Sequence, residues 1–226
     1  MADSSVYYQY ERKDVTPLLP KHYSRVLEIG CGEGSFRGNL TKECEYWGVE
    51  PNEAAARIAS ERINKVLIGT YLKVLNQLPK DYFDVVICND VIEHMVDHDE
   101  FLQSIKTNLK KDSYLVGSIP NARYVGNLFE FLVKKDWEYK DQGILDKTHL
   151  RFFTEKSLKR TIKENGFAIE ELQGIYPYQD GSISIKSVLR RCLRSFAILI
   201  FGQDSKFYQF GIRIRYAEPS NGVVNK

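Results

Sequence analysis

Residues 26–36 read VLEIGCGEGSF: an apolar run carrying one acid, Glu28, then three alternating glycines, Gly30, Gly32 and Gly34. Glycines after a strand let the backbone approach a ligand where a Cβ would clash. The amides that open the following segment then face that ligand. The spacing departs from the GxGxxG cradle of a pyrophosphate. Glu28 would also repel a phosphate, and it suits a ligand that bears an ammonium group. Glu50 lies twenty residues beyond Gly30, at the end of a second apolar run. A carboxylate there can accept hydrogen bonds from both hydroxyls of a ribose. The implied ligand has a ribose, a cationic amino-acid end and no phosphate, and S-adenosylmethionine fits. A tight turn beside an ordinary acidic residue would give the same glycine spacing taken alone.

These residues need a scaffold that brings strand ends together. Strand-like and helix-like segments alternate from residue 24 to 120: strands at 24–30, 45–50, 65–69, 82–90 and 113–120, helices at 35–43, 52–63 and 99–110. Asn52 is placed to cap the second helix. Such alternation means βαβ units, a parallel sheet and helices on both faces. Ligands of such sheets bind at the carboxyl ends of the strands, so the first glycine turn belongs to the site. The rhythm then changes. Residues 124–135 read as an added helix, 143–154 as a loop, and 155–167 as a helix stopped by Asn165-Gly166. Strands follow at 167–175 and 208–218, and the last pairs antiparallel with the one before it. The whole chain, 1–226, reads as a single domain with insertions at 121–153 and 176–207.

Composition narrows the function. In 226 residues, 32 Lys and Arg face 30 Asp and Glu, a net charge of +2. That balance excludes a dedicated nucleic-acid binder. The four cysteines, at 31, 44, 88 and 192, form no CxxC pair, so neither a disulfide framework nor a zinc site is expected. Reduced thiols, a polar N-terminus and no apolar run near ~20 residues point to a cytoplasmic protein. His94 and His98 stand four apart, as metal ligands on a helix do, but no third ligand shows a matching spacing and no metal is expected. Residues 182–206 carry five basic residues against one acid around an apolar stripe. Such a helix can touch the inner face of a membrane weakly, or simply pack on its own domain.

The segments VLEIGCGEGSF, YWGVEPN, FDVVICNDVIEHM and LVGSIPN, in this order, resemble class I S-adenosylmethionine-dependent methyltransferases over about residues 22 to 175. The resemblance implies an α/β fold: a doubly wound, Rossmann-like, seven-stranded, mostly parallel sheet with the last strand antiparallel. It implies that Glu28, Gly30, Cys31 and Gly32 border the methionine half of the cofactor. Glu50 would hold the ribose, with Pro51 and Asn52 near the adenine, where Gly69, Thr70 and Tyr71 also contribute. Thr70 departs from the acid many members have there. Asn89 would turn its carbonyl to the cofactor's amino group, with Asp90 and Val91 beside it and His94 at the mouth. Tyr8 and Arg12, in the segment 1–22, would cover the cofactor, Arg12 pairing with its carboxylate.

A shorter stretch, GILDKTHLRFFT, resembles methyltransferases encoded among bacterial surface-polysaccharide genes. It implies a hydroxyl acceptor, or less readily an amine, on a nucleotide-linked or lipid-linked sugar. In it His149 is expected as general base, oriented by Asp146, with Tyr124 as a pocket residue. Asn121 and Arg151 are expected to bind the acceptor, Arg151 taking an anionic group. A quinone-like or polyketide-like acceptor is the alternative, and a non-catalytic cofactor-binding protein another. A nicotinamide-dependent oxidoreductase is disfavoured by Glu28 and the glycine spacing. The sequence sets no oligomeric state.

Overall fold

The computed structural model describes residues 11–177 and 195–216. Its strands are β1 (Arg25–Ile29), β2 (Glu45–Glu50), β3 (Lys65–Ile68), β4 (Phe83–Asn89), β5 (Leu109–Pro120), β6 (Phe167–Pro177) and β7 (Phe207–Tyr216). They form one sheet in the order β3-β2-β1-β4-β5-β7-β6. β1 to β5 pair parallel, whereas β7 runs antiparallel to both β5 and β6. The expected reversed last strand is present, slotted between its two predecessors.

The central strands are apolar at nearly every position because both faces are covered. Leu27, Val86 and Leu115 point into one core, against Phe101, Leu102 and Ile105 of α3 (His98–Ile105) and Leu158 and Ile162 of α5 (Glu155–Glu164). Their neighbours Val26, Val85 and Val116 point into the other core, with Val15, Leu18, Phe36 and Tyr46. Each large side chain so buried contributes about 1.5–3 kcal/mol. Sequence order reverses around β1, so the carboxyl ends of β1, β2 and β4 open on a shared crevice.

Helices are shorter than their sequences suggest. The stretch 35–43 is only a 3-10 turn, Ser35–Asn39, entered through left-handed Gly34. The next helix, α1, spans Glu53–Ala59, and the side-chain oxygen of Asn52 caps it by accepting from the amides of Ala54 and Ala55. A single helical turn, α2 (Tyr71–Val74), follows β3. The added helix starts as α4 (Val125–Phe129) and widens into a π-helical turn, Glu130–Lys134. Within the second insertion, residues 195–201 are helical. Residues 182–194, most of the expected basic amphipathic helix, lie outside the described residues, as does Tyr8. No helix among the described residues is long and apolar enough to cross a membrane.

Candidate active site

The glycine turn is held from the second strand. The amides of Gly30 and Cys31 donate to the carbonyl of Val49 at 2.8 and 3.2 Å, which folds the chain back over the end of β2. Gly30 has φ +71°, and a Cβ there would stand 3.0 Å from the Val91 methyl. Only glycine takes that backbone and that contact together without strain.

Glu50 closes the turn. Its carboxylate accepts from the Gly32 amide at 2.9 Å and the Asn52 amide at 2.8 Å, one on each oxygen. Each oxygen keeps acceptor capacity for a further donor. Burial raises its pKa, although the two amides oppose that shift. Glu28 is more enclosed. It accepts from the Tyr46 hydroxyl, and burial pushes its pKa up to about 8 despite that bond. Near neutral pH the acid is therefore largely protonated until a cation arrives beside it. Cys31 is buried, and its thiol is held well above the usual range by that burial and by Glu28 and Glu50.

Other residues expected around the cofactor divide into two groups. Gly69 donates its amide to the Glu50 carbonyl, with exposed Thr70 beside it at the crevice edge. The Tyr71 side chain does not join them. It lies in the core, edge-on to Phe101, with its hydroxyl on Asn108 at 2.6 Å. Asn52 uses its side-chain oxygen as a helix cap, so its contribution beside exposed Pro51 is the amide that holds Glu50. At the end of β4, both polar atoms of the Asn89 side chain are buried without a partner. Asp90 follows with φ +53° and accepts from Ser118 at 3.0 Å, Gln209 at 2.9 Å and Arg12. Buried Arg12 also contacts Asp14 at 3.2 Å and Gln209 at 3.0 Å. Burial alone would lower the guanidinium's pKa, but Asp90 and Asp14 outweigh it. Arg12 is thus engaged by protein carboxylates, Asp90 at the end of β4 and Asp14.

The inserted loop brings His149 back to the motif after β4. The amides of Leu150 and Arg151 both donate to the Glu93 carbonyl, at 2.8 and 3.0 Å, pinning the loop there. His149 is buried, and its Nδ1 lies 2.9 Å from the Ile144 carbonyl. A carbonyl only accepts, so Nδ1 carries the proton and Nε2 is left with its lone pair. That Nε2 lies 3.9 Å from Oε1 of Glu93. His94 is arranged alike, Nδ1 3.1 Å from the Thr148 carbonyl and its ring edge-on to His149 at 4.7 Å. Burial lowers the His149 pKa, so the ring is neutral near pH 7.

Three expectations fail here. Asp146 does not orient His149: its side chain accepts from the Thr148 amide and hydroxyl at 2.7 and 2.6 Å, an Asx-type turn. The Ile144 carbonyl does the orienting. Asn121 does not face an acceptor: its amide group donates to the carbonyls of Asp204 and Phe207 and accepts from the Arg123 amide. Exposed Arg151 turns to the Val96 and Leu150 carbonyls at 2.5 and 3.1 Å. His98 does not converge with His94, its ring standing against Phe153 instead. Tyr124 stands edge-on to Tyr208, their ring centroids 5.2 Å apart. The residue that sequence reasoning passed over is Glu93. It is 1% exposed, and neither of its carboxylate oxygens has a hydrogen-bond partner. Its signal was present in D-x-x-E-H, but only the returning loop gives it company. Glu93, His94 and His149 offer ligand atoms within 4.8 Å of one another, a grouping that joins residues more than fifty positions apart.

Rings lead outward from this cluster. Phe152 stands 6.5 Å from His149, Trp137 5.6 Å from Phe152, and Phe131 5.7 Å from Trp137, while Tyr139 flanks Phe152 at 6.4 Å. Phe131 and Tyr139 are half exposed, so the wall opens to solvent.

A crevice at the strand ends of a doubly wound sheet with a reversed strand marks the class I methyltransferase fold, a class whose methyl donor is S-adenosylmethionine. The chain belongs to the methyltransferase domain family, whose model matches residues 7–172. An S-adenosylmethionine-dependent methyltransferase from Archaeoglobus fulgidus superposes with a TM-score of 0.63 at 22% identity, covering 94% of each chain. One from Mesorhizobium loti gives 0.60 at 17% identity, covering 91% of this chain and 97% of that one. In sequence, a protein of Bradyrhizobium diazoefficiens named ubiquinone biosynthesis O-methyltransferase is 27% identical over 164 residues, 69% of this chain and 64% of its own length. Its namesake in Rickettsia bellii is 27% identical over 171 residues, 70% of this chain and 69% of its own. The chain thus spans under two thirds of the Bradyrhizobium relative. None of these relatives is named for polysaccharide synthesis, so the branch expected from GILDKTHLRFFT finds no support.

Proposed function

We propose that the protein transfers the methyl group of S-adenosylmethionine to a ring hydroxyl of a quinone-like or phenolic small molecule. One observation carries the reading: the wall Phe131–Trp137–Phe152 ends at His149, His94 and buried Glu93. Flat rings pack well against such a wall, edge-on or offset. A sugar hydroxyl would call for paired polar side chains, yet Asn121 and Asp146 are already taken up by the fold. The names of the sequence relatives favour the same acceptor class over a glycan.

The donor's part of the site is assigned as follows. Glu50 holds the ribose. Gly30, Gly32 and the ionised form of Glu28 border the methionine end, and Asn89 lies beside the amino group. The sulfonium is already a good leaving group, so the protein must align the acceptor oxygen with the methyl carbon and exclude water. The hydroxyl proton leaves at the inner end of the wall. An assay with labelled methyl donor tests this against catechols, hydroquinones and sugar nucleotides. Label is expected on a ring oxygen; transfer to sugars alone would overturn the acceptor class.

A further inference from the structure

We propose that Glu93, His94 and His149 bind one divalent metal cation, of the zinc or cobalt type, and that this cation takes the acceptor hydroxyl. The acceptor's identity rests on the reading above; the cation rests on geometry of its own. One ring nitrogen from each imidazole and a carboxylate oxygen converge, all within 4.8 Å. Both tautomers are fixed from behind, His94 by the Thr148 carbonyl and His149 by the Ile144 carbonyl. That is how metal-bound histidines are held, the far nitrogen donating to a carbonyl or carboxylate. One loop therefore supplies a ligand and both supporting carbonyls.

Glu93 is the independent pointer. A fully buried carboxylate with two unpartnered oxygens is costly to keep. No side chain among the described residues satisfies those oxygens, and the nearest base nitrogen, His149 Nε2, is 3.9 Å away. A shared proton would need a shorter contact and would still leave the His94 lone pair idle. A cation satisfies all three groups at once. Bonds of about 2.1 Å in tetrahedral geometry put ligand atoms about 3.4 Å apart, so the separations have to close by about 0.5 Å for His149 and Glu93 and by at most about 1.4 Å elsewhere. His94, partly exposed, has room to make that move. Asp90 and Asp146 add negative potential around Glu93. Two histidines and one glutamate with open positions form a catalytic, not a structural, set.

The chemistry balances without a protein base. The acceptor oxygen binds the cation, its O–H bond breaks and the proton passes to solvent, because a bound hydroxyl is far more acidic. The metal-held oxygen then attacks the methyl carbon, an O–C bond forms, and the C–S bond breaks with its electron pair returning to sulfur. The thioether product is neutral. His149 on this account is a ligand, and its lone pair is engaged by the metal.

The test uses the whole protein, stripped with a chelator and dialysed. Co2+ is titrated in and followed by its visible absorption, and Zn2+ by calorimetry. One equivalent is expected to bind, with Glu93→Gln and His149→Ala each weakening affinity by about 100-fold or more while His98→Ala leaves it unchanged. Circular dichroism and cofactor binding report folding of the variants; His94→Ala, at the more exposed ligand, serves if His149→Ala does not fold. No stoichiometric binding, or binding indifferent to all three ligand changes, overturns the proposal, as does full turnover in the presence of chelator. Tight cation binding together with methyl transfer to sugars alone would keep the cation and sink only the acceptor class.

Discussion

Glu50 shows how one side chain can serve fold and ligand together. It holds the amides of Gly32 and Asn52, and so fixes the glycine turn against β2. Glu50→Gln keeps one acceptor and the side chain's shape but loses the charge. Calorimetry with S-adenosylhomocysteine is expected to show a loss of about 2–4 kcal/mol, the scale of two charge-assisted bonds to a ribose; unchanged affinity would remove Glu50 from the cofactor site. Glu28 makes a separate prediction. Its pKa in the folded protein is raised from 4.5 to about 8, chiefly by burial. The folded state therefore holds its proton more tightly than the unfolded chain. The resulting stability is complete below the unfolded value and is lost as pH rises through the folded one. The melting temperature of the ligand-free protein should fall from about pH 5 to pH 9, and Glu28→Gln should flatten part of that slope. Glu93 and Glu50, raised in the same direction by burial, add to that slope. An identical slope in wild type and Glu28→Gln would show that Glu28 ionises freely in the fold.

At the scale of elements, the clamp made by Asn121 is the clearest case. It ties the residue after β5 to the carbonyls of Asp204 and Phe207, at the entrance to β7. Asn121→Ala would strand two carbonyls and is expected to cost about 2–4 kcal/mol, a drop of about 5–15 °C in melting temperature for a chain of this size. A drop under about 2 °C would mean that water replaces the amide. The alternating strands through residue 120 could be read directly, because a buried parallel strand and a capped helix are local patterns. Asn52 before "EAAARIA" and Asn165-Gly166 were legible for that reason. Residues 35–43 were over-read as a full helix, because Gly38 weakens it from within and left-handed Gly34 sets its entry. The roles of Asp146, Asn121 and Tyr71 were not legible. Each was assigned by its nearness to a motif, yet its partner lies in a turn or on a distant element. Glu93 was overlooked for the converse reason. Its importance comes from a loop fifty-odd residues later that hydrogen-bonds back to its own carbonyl.

For the molecule as a whole, the two cores share one sheet, so the described body should melt in a single cooperative step. A ligand in the crevice touches β1, β2 and β4 and must stabilise all of it. At a hundred times its dissociation constant, S-adenosylhomocysteine contributes about 2.7 kcal/mol, or about 5–11 °C. Scanning fluorimetry should show one transition moving by that amount; two transitions, only one of them moving, would show that the sheet divides. The placement of β7 carries a consequence for synthesis. As the chain leaves the ribosome, β5 and β6 emerge before the strand that must lie between them. Until residue 216 is out, β5 shows an open edge and β6 has nothing to pair with. The glycine turn, Glu50 and Asp90 are all in place in sequence by residue 90, yet Gln209, which holds Asp90, arrives more than a hundred residues later. The nascent chain thus owns its glycine turn long before it owns a closed sheet. Unpaired strand edges invite pairing with other chains, so this interval is when newly made protein most needs a chaperone.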